Sequence, residues 1–169
     1  MMRKLILGGF FVFVLQVFFF NGLEFSSSVC IMIYPLILFL LPFNTKPSFL
    51  FIWAFLFGFL IDFFSNSFGL HASSLVAAAA IRIGVFYLLT PRDGYESILF
   101  PSVKKLGFKW VLTSFSFILF FHHFWFFCVE YFSFSSASII LKNTLFSFFF
   151  SLICCLCFYI LFFFKKLSK

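Results

Sequence analysis

The chain has 169 residues, of which 64% are hydrophobic and only 10% charged, with 37 Phe and a mean hydropathy of +1.18. No water-soluble fold hides that much apolar surface, so this composition excludes a soluble globular protein and predicts an integral membrane protein. The formal net charge of +7 is typical of Lys and Arg that fix membrane topology and contact anionic lipid. A nucleic-acid surface would need a basic patch on a soluble element, and the sequence has none.

Six apolar segments separated by short polar breaks predict one all-α membrane domain over residues 1–169, built as a six-helix bundle. The first three segments are shorter than the ~20 residues that cross a hydrocarbon core, so they need flanking residues or a locally thinned bilayer. The second contains Pro35, which interrupts a helix. No small-residue cleavage site follows Phe20, so we expect the first segment to be an uncleaved helix. The predicted helices are approximately 5–20, 29–42, 49–64, 69–89, 108–128 and 139–164.

The distribution of Lys and Arg predicts that both termini lie in the cytoplasm. Basic residues close to the ends of membrane helices are retained on the cytoplasmic side. In a six-span chain the outer breaks contain only Lys142, and an odd number of spans would place one of the basic termini outside. The residues placed inside are Arg3, Lys4, Lys46, Arg92, Lys104, Lys105, Lys109, Lys165, Lys166 and Lys169.

The sequence contains no convincing catalytic or metal motif, so we expect a protein that is not an enzyme and has no metal or cofactor. Cys154 and Cys157 have the spacing of a redox or zinc motif, but a second ligand pair and polar surroundings are missing, which favours packing residues. The adjacent His122 and His123 point about 100° apart on a helix and cannot easily chelate one ion together. Packing or a hydrogen bond across the bundle is the favoured role for them. A serine nucleophile elbow, a zinc-protease helix and a phosphate-binding Gly loop are all lacking.

Small residues on the third and fourth helices predict a seam of close helix packing, because small side chains let another helix approach. They recur at intervals of three or four on one face of each helix. On the fourth helix the opposite stripe is polar, so neither face suits lipid, and we expect the bundle or a partner's helix to enclose it. The predicted seam consists of Ala54, Gly58, Ser73, Ala77, Ala80 and Gly84.

An intramembrane polar cluster is predicted around the turn between the third and fourth helices, where charges cost a few kcal/mol each. Asp62 and Arg82 should not pair, because Arg82 lies roughly 20 Å deeper at ~1.5 Å per residue and is expected to reach toward Asp93 or Glu96. His71 lies near the level of Asp62. Two interpretations stay open: a functional polar site, and a tight turn in which Asp62 and Asn66 cap helix ends. The candidate cluster is Asp62, Ser65, Asn66, His71 and Arg82.

Two runs, GFLIDFFSNSFGLHASSLVAAAAIR at residues 58–82 and TPRDGYE at 90–96, resemble the rod shape-determining MreD family, especially its Bacteroidota members. The first is similar to the family's central pattern: a Gly, an Asp closing one membrane helix, a Ser/Asn-rich turn, and a Gly-Leu opening the next helix. The second is similar to the cytoplasmic segment after the fourth helix. The high Phe content of the first, fifth and sixth helices departs from the family. The matching positions of the first run are Gly58, Asp62, Ser65, Gly69 and His71.

This resemblance implies a non-enzymatic subunit of the cell inner membrane, in the elongation machinery that determines cell shape through peptidoglycan synthesis. The implied partners are MreC and, through it, MreB, RodA and a penicillin-binding transpeptidase. The family's fold is similar to the membrane substrate-binding subunit of energy-coupling-factor transporters, so a vitamin-type binding subunit is the main alternative. Short outer loops favour the scaffold. A lipid flippase would need a charged central cavity, and Arg82 is a single charge, which is not enough to indicate one.

The break after the fourth helix is a second candidate surface, for cytoplasmic partners or anionic lipid. An equally simple interpretation is that its charges only determine topology. Its candidate residues are Arg92, Asp93, Gly94, Tyr95, Glu96, Lys104 and Lys105.

Overall fold

The computed structural model describes residues 2–22, 29–92, 94, 95, 98–132 and 136–164, and the regular structure within these ranges is helical throughout. We number the α-helices in chain order. A 3-10 turn, Phe20–Gly22, follows α1, and a π-helical turn, Ile160–Phe164, continues α7. The helices are α1 Met2–Phe18, α2 Pro35–Leu40, α3 Pro47–Ser65, α4 Leu70–Leu88, α5 Val103–Leu106, α6 Phe108–Tyr131 and α7 Ala137–Tyr159.

Within the described ranges, four helices are long and apolar enough to cross a membrane: α3, α4, α6 and α7 with its extension. The apolar part of α1, Leu5–Phe18, is shorter. Large apolar side chains cover the outer surfaces of these helices, as lipid contact requires; Phe63 on α3 and Leu161 after α7, for example, are 72% and 65% exposed. The prediction of an all-helical protein with membrane-type helices is confirmed at this level.

The long helices pack in the spatial order α3, α4, α6, α7, with α4 in contact with both α3 and α6. The short α2 contacts α1, α4 and α6, and all six of its residues are buried. The centre of the bundle is therefore a short helix surrounded by longer ones.

The second predicted segment, 29–42, differs from a continuous membrane helix. Residues 29–33 have no regular secondary structure, and the helix begins only at Pro35. Proline has no backbone N–H and its ring fixes φ near the helical value, so it is suited to the first position of a helix and not to its interior. The segment is thus part irregular chain and part helix, in the most buried region of the protein.

A tight turn joins α3 to α4. Asn66 ends α3 in a left-handed conformation with φ +52°, and Gly69 precedes α4 with φ +92°. Asn and Gly adopt positive φ more readily than other residues, so both suit these positions. The turn brings the end of α3 directly against the start of α4.

Candidate functional site

The irregular stretch before Pro35 has backbone groups that bond to side chains of α1 and α7. Non-helical backbone at membrane depth is tolerated only where protein or water satisfies its hydrogen bonds. Gln16 both donates to the carbonyl of Ile31 (3.1 Å) and accepts from the N–H of Ile33 (2.9 Å). On the other side, Ser147 Oγ accepts from the N–H of Cys30 (3.0 Å) and Ser151 Oγ from that of Met32 (2.8 Å). These polar side chains make the broken segment possible.

The α7 side chains that face this segment form a buried polar stripe. Its members recur at intervals of four, which places them on one helix face. The stripe was overlooked in the sequence because Phe and Leu dominate this helix, although the interval of four is visible there. It consists of Asn143, Ser147, Ser151 and Cys155, with Thr144 beside it.

A tyrosine hydroxyl links two histidines at the centre of the bundle. Tyr34 Oη lies 2.9 Å from His71 Nδ1 and 2.8 Å from His122 Nε2, and all three residues are buried. His122 Nδ1 has no partner. A tyrosine hydroxyl has one proton to donate, so at least one of the two histidine rings donates an N–H to Tyr34 Oη. This chain ties α2 to α4 and α6.

His123 makes separate contacts from its neighbour His122. Its Nδ1 lies 2.8 Å from the carbonyl of Leu119, and its Nε2 lies 3.0 Å from Ser151 Oγ. Nδ1 therefore carries the proton, and Ser151 donates to Nε2. The hydrogen bonds across the bundle that the sequence favoured are present for both histidines. Among the described residues, no group of three or more His, Cys, Asp or Glu is placed to hold a metal.

Asp62 binds the first turn of α4. One carboxylate oxygen accepts from Ser67 Oγ (2.6 Å) and the His71 N–H (3.0 Å), and the other accepts from the Ala72 N–H (2.8 Å). The first N–H groups of a helix have no partner within the helix, and a carboxylate there provides charge-assisted bonds. The capping interpretation therefore describes this carboxylate, and its partner at His71 is the backbone N–H and not the ring.

The other turn residues also have structural partners. Ser65 Oγ donates to the carbonyl of Ile61 (2.8 Å) and accepts from Asn21 Nδ2 (2.6 Å), which connects the turn to the end of α1. Asn66 contributes through its left-handed backbone at the end of α3. The turn is thus fixed on both sides.

Arg82 lies away from this turn and is 3% exposed. Its Nη2 donates to the carbonyls of Leu41 (2.6 Å) and Pro42 (3.2 Å), just after α2, and its Cζ lies 4.5 Å from the centre of the Phe86 ring. The guanidinium thus satisfies carbonyls that follow a helix end and gains a cation–π contact. The two expected acidic partners, Asp93 and Glu96, lie outside the described residues.

The α3 part of the predicted seam packs against α4. A Cβ on Gly58 would lie only 2.5 Å from the Ala72 Cα and 2.8 Å from the Ala72 N. Ala54, one turn earlier, is fully buried. Only a residue without a side chain allows the two backbones to approach this closely.

The α4 residues of the predicted seam are less buried, and the sequence left open whether the bundle or a partner's helix encloses them. Ser73 and Ala77 are half-buried, while Ala80 and Gly84 are exposed, and among the described residues no atom lies within 4 Å of a Cβ added to Gly84. The opposite stripe of α4, which contains His71 and Arg82, is buried and faces the bundle, where both side chains have hydrogen-bond partners. We call Ser73, Ala77, Ala80 and Gly84 the small face of α4.

The loop after α4 folds back on that helix. The Tyr95 hydroxyl donates to the carbonyl of Phe86 (2.9 Å), and its ring stacks on Phe43 with centroids 4.1 Å apart. Partial burial raises the pKa of Tyr95, so the hydroxyl remains protonated and able to donate. Gly94 takes φ +66° beside it.

The basic residues of the second candidate surface are exposed on the same side. Arg92 is exposed in the loop, and Lys104 and Lys105 are exposed on α5. Both lysines and Gly94 line a cavity of about 560 Å³. Asp93 and Glu96 of this candidate surface lie outside the described residues.

Comparison with known proteins gives no relative to guide interpretation: no family model, curated protein or solved structure matches the chain.

Proposed function

We propose that the chain is a non-enzymatic scaffold subunit of a membrane complex, acting as MreD does in the machinery that elongates rod-shaped cells. The observation that supports this most is the arrangement of residues 58–82, the run that resembles the family. Within this run, Gly58 lets α3 approach α4 closely, and Asp62 accepts hydrogen bonds from the first turn of α4. The small face of α4 is left on the outside of the chain, where a partner's helix has room to pack.

The polar core of the protein supports a scaffold more than a catalyst. Asp62, Tyr34 and His123 have their hydrogen bonds satisfied within the chain, on backbone groups or on neighbouring side chains. Buried polar networks of this kind rigidify a core and specify one arrangement of its helices. A rigid bundle with an outward small face is suited to assembling other membrane proteins.

The proposed topology has six crossings in the inner membrane, with both termini in the cytoplasm. In it, α1 and the segment 29–42 cross beside the four long helices. The complete burial of α2 and the side-chain bonds to residues 30–33 support a crossing surrounded by protein instead of lipid. The basic surface of Arg92, Lys104 and Lys105 then faces the cytoplasm.

The proposed partners are MreC at the small face of α4 and, through MreC, the MreB filament, RodA and a penicillin-binding transpeptidase. Small residues at helix interfaces permit close approach and favourable van der Waals contact in lipid, where the hydrophobic effect does not drive association. The basic cytoplasmic surface provides a second contact.

Gly84→Leu tests this function. Because nothing lies within 4 Å of a Cβ at this position, the variant should fold and have an unchanged melting temperature in detergent. The larger side chain should block the partner helix, so cells that depend on the variant should lose rod shape and MreC should not co-purify with it. Gly84→Ala, which adds one methyl group, is the matched control and should keep both properties. Rod-shaped cells with normal co-purification in Gly84→Leu would contradict the proposed contact.

A further inference from the structure

Two cavities adjoin at the turn between α2 and α3, and both are lined by Thr45 and Lys46. The first has a volume of about 530 Å³ and lies between the start of α3 and the end of α4, with Arg82 in its wall. The second has a volume of about 640 Å³ and lies between α1, α2 and α3. The shared lining places the two cavities side by side at this turn.

The first cavity contains positive charge without a counter-ion among the described residues. Arg82 is almost completely buried; within the described part of the chain its Nη2 bonds to two neutral carbonyls and its Nε has no partner. Lys46 is exposed at the same cavity. A buried charge without an opposite charge is costly, so an anion that bonds to this guanidinium gains favourable energy on binding.

Three hydroxyl groups of this cavity already donate to backbone carbonyls. Thr45 donates to the carbonyl of Pro42, Thr90 to that of Phe86, and Tyr95 also to that of Phe86. The cationic donors of the cavity are those of Arg82 and Lys46, and the Asn44 amide lines it as well. Two cations with several N–H groups suit a phosphate, which offers several acceptor oxygens.

The second cavity is apolar and opens on the outer surface of the chain. Its walls include Ile37 of α2 and Trp53 of α3, and its rim includes Phe10 and Phe49, which are 68% and 57% exposed. Gly9 leaves space on the α1 side, where an added Cβ would reach only Ile37 at 3.6 Å. An alkyl chain that fills this groove exchanges contact with neighbouring lipid for van der Waals contact with the protein.

We propose that these two cavities together bind one anionic phospholipid, with its phosphate at Arg82 and Lys46 and one acyl chain in the groove between α1 and α3. The apolar groove directly beside the charged cavity distinguishes a lipid from free phosphate, which would use only the first. The proposal requires a membrane protein but does not depend on the proposed role in cell shape.

The test measures lipid binding to the purified full chain in neutral detergent by native mass spectrometry. Dioleoylphosphatidylglycerol is compared with dioleoylphosphatidylcholine, which has the same acyl chains and no net charge. Phosphatidylglycerol should remain bound at lower lipid concentration. Lys46→Gln should weaken its binding about fivefold, the effect of losing about 1 kcal/mol for one lysine. The matched control Lys142→Gln removes a lysine that lines neither cavity and should have no effect.

Two further arms identify the bound species. The charge is tested at Lys46 and not at Arg82, because Arg82→Gln would also remove the hydrogen bonds to Leu41 and Pro42. The groove is tested by Gly9→Leu, whose side chain would fill it. Gly9→Leu should weaken phosphatidylglycerol binding without changing any charge. Equal binding of the two lipids, or no effect of Lys46→Gln, would overturn the proposal. Displacement of the lipid by millimolar inorganic phosphate, together with no effect of Gly9→Leu, would show a soluble anion site instead.

Discussion

Gly58→Ala is expected to destabilise the protein by about 3 kcal/mol, the upper end of the usual cost of overpacking a core. The new methyl carbon would lie 2.5 Å from the Ala72 Cα and 2.8 Å from both the Ala72 N and the His71 carbonyl oxygen. All three are backbone atoms, so no rotation of a flexible side chain relieves the clash, and α3 must move away from α4. The free energy of unfolding, measured by SDS titration in mixed micelles, reports this loss.

Gly84→Ala is the matched control, because it makes the same chemical change one helix away. Nothing lies within 4 Å of a Cβ there. Ala is favoured over Gly inside a helix by about 0.5–1 kcal/mol, so this variant should be neutral or slightly more stable. Equal effects of the two substitutions would contradict the close approach of α3 and α4 at Gly58.

Asp62→Ala is expected to cost about 3 kcal/mol, because it leaves two buried backbone N–H groups and one half-buried hydroxyl unpaired, and each unpaired buried donor costs about 1–3 kcal/mol. The donors are the Ser67 hydroxyl and the N–H groups of His71 and Ala72. The first turn of α4 should then fray, which is visible as faster amide hydrogen exchange at His71 and Ala72. The same SDS titration gives the change in unfolding free energy.

Two milder variants calibrate this result. Ser67→Ala removes only one of the three bonds and should cost about 0.5–1.5 kcal/mol. Asp62→Asn keeps one acceptor oxygen but turns an NH₂ group toward a donor, so its cost should lie between the other two. An Asp62→Ala variant no less stable than Ser67→Ala would mean that the carboxylate does not stabilise the start of α4.

The connection between α3 and α4 was predictable from sequence to a large extent. Ala54, Gly58 and Asp62 recur at intervals of four, and the structure places Gly58 and Asp62 in contact with the first turn of α4. Inside a membrane, small residues on one helix face allow another helix to approach, and a carboxyl on that face needs hydrogen-bond donors from it. Their spacing therefore indicates close packing. The sequence also separated Asp62 from Arg82 correctly, since helical rise determines their difference in depth.

Which face of α4 points inward was not predictable from the helix alone. The polar stripe and the small face both suit close contact. The choice depends on partners in other elements: Tyr34 for the ring of His71, and the carbonyls of Leu41 and Pro42 for Arg82. Such tertiary hydrogen bonds have no local signal in the sequence, so the sequence left open whether the bundle or a partner's helix encloses the small face.

The broken segment 29–42 shows the same limit. Pro35 indicated an interruption, but the extent of the irregular chain depends on single polar residues in distant helices, Gln16 on α1 and Ser151 on α7. Each is an isolated polar residue in an apolar run, and only the interval of four on α7 signalled that these serines share a face. The pairing of that face with residues 30–33 required the structure.

The most direct test of the scaffold function is an affinity pull-down of the full chain from its own cells in mild detergent, with mass spectrometry of the proteins that remain bound. The account predicts recovery of MreC together with peptidoglycan synthases, and loss of MreC from the Gly84→Leu variant. Recovery of paired ATPase subunits in place of MreC would contradict it and would indicate the membrane subunit of a vitamin-type transporter.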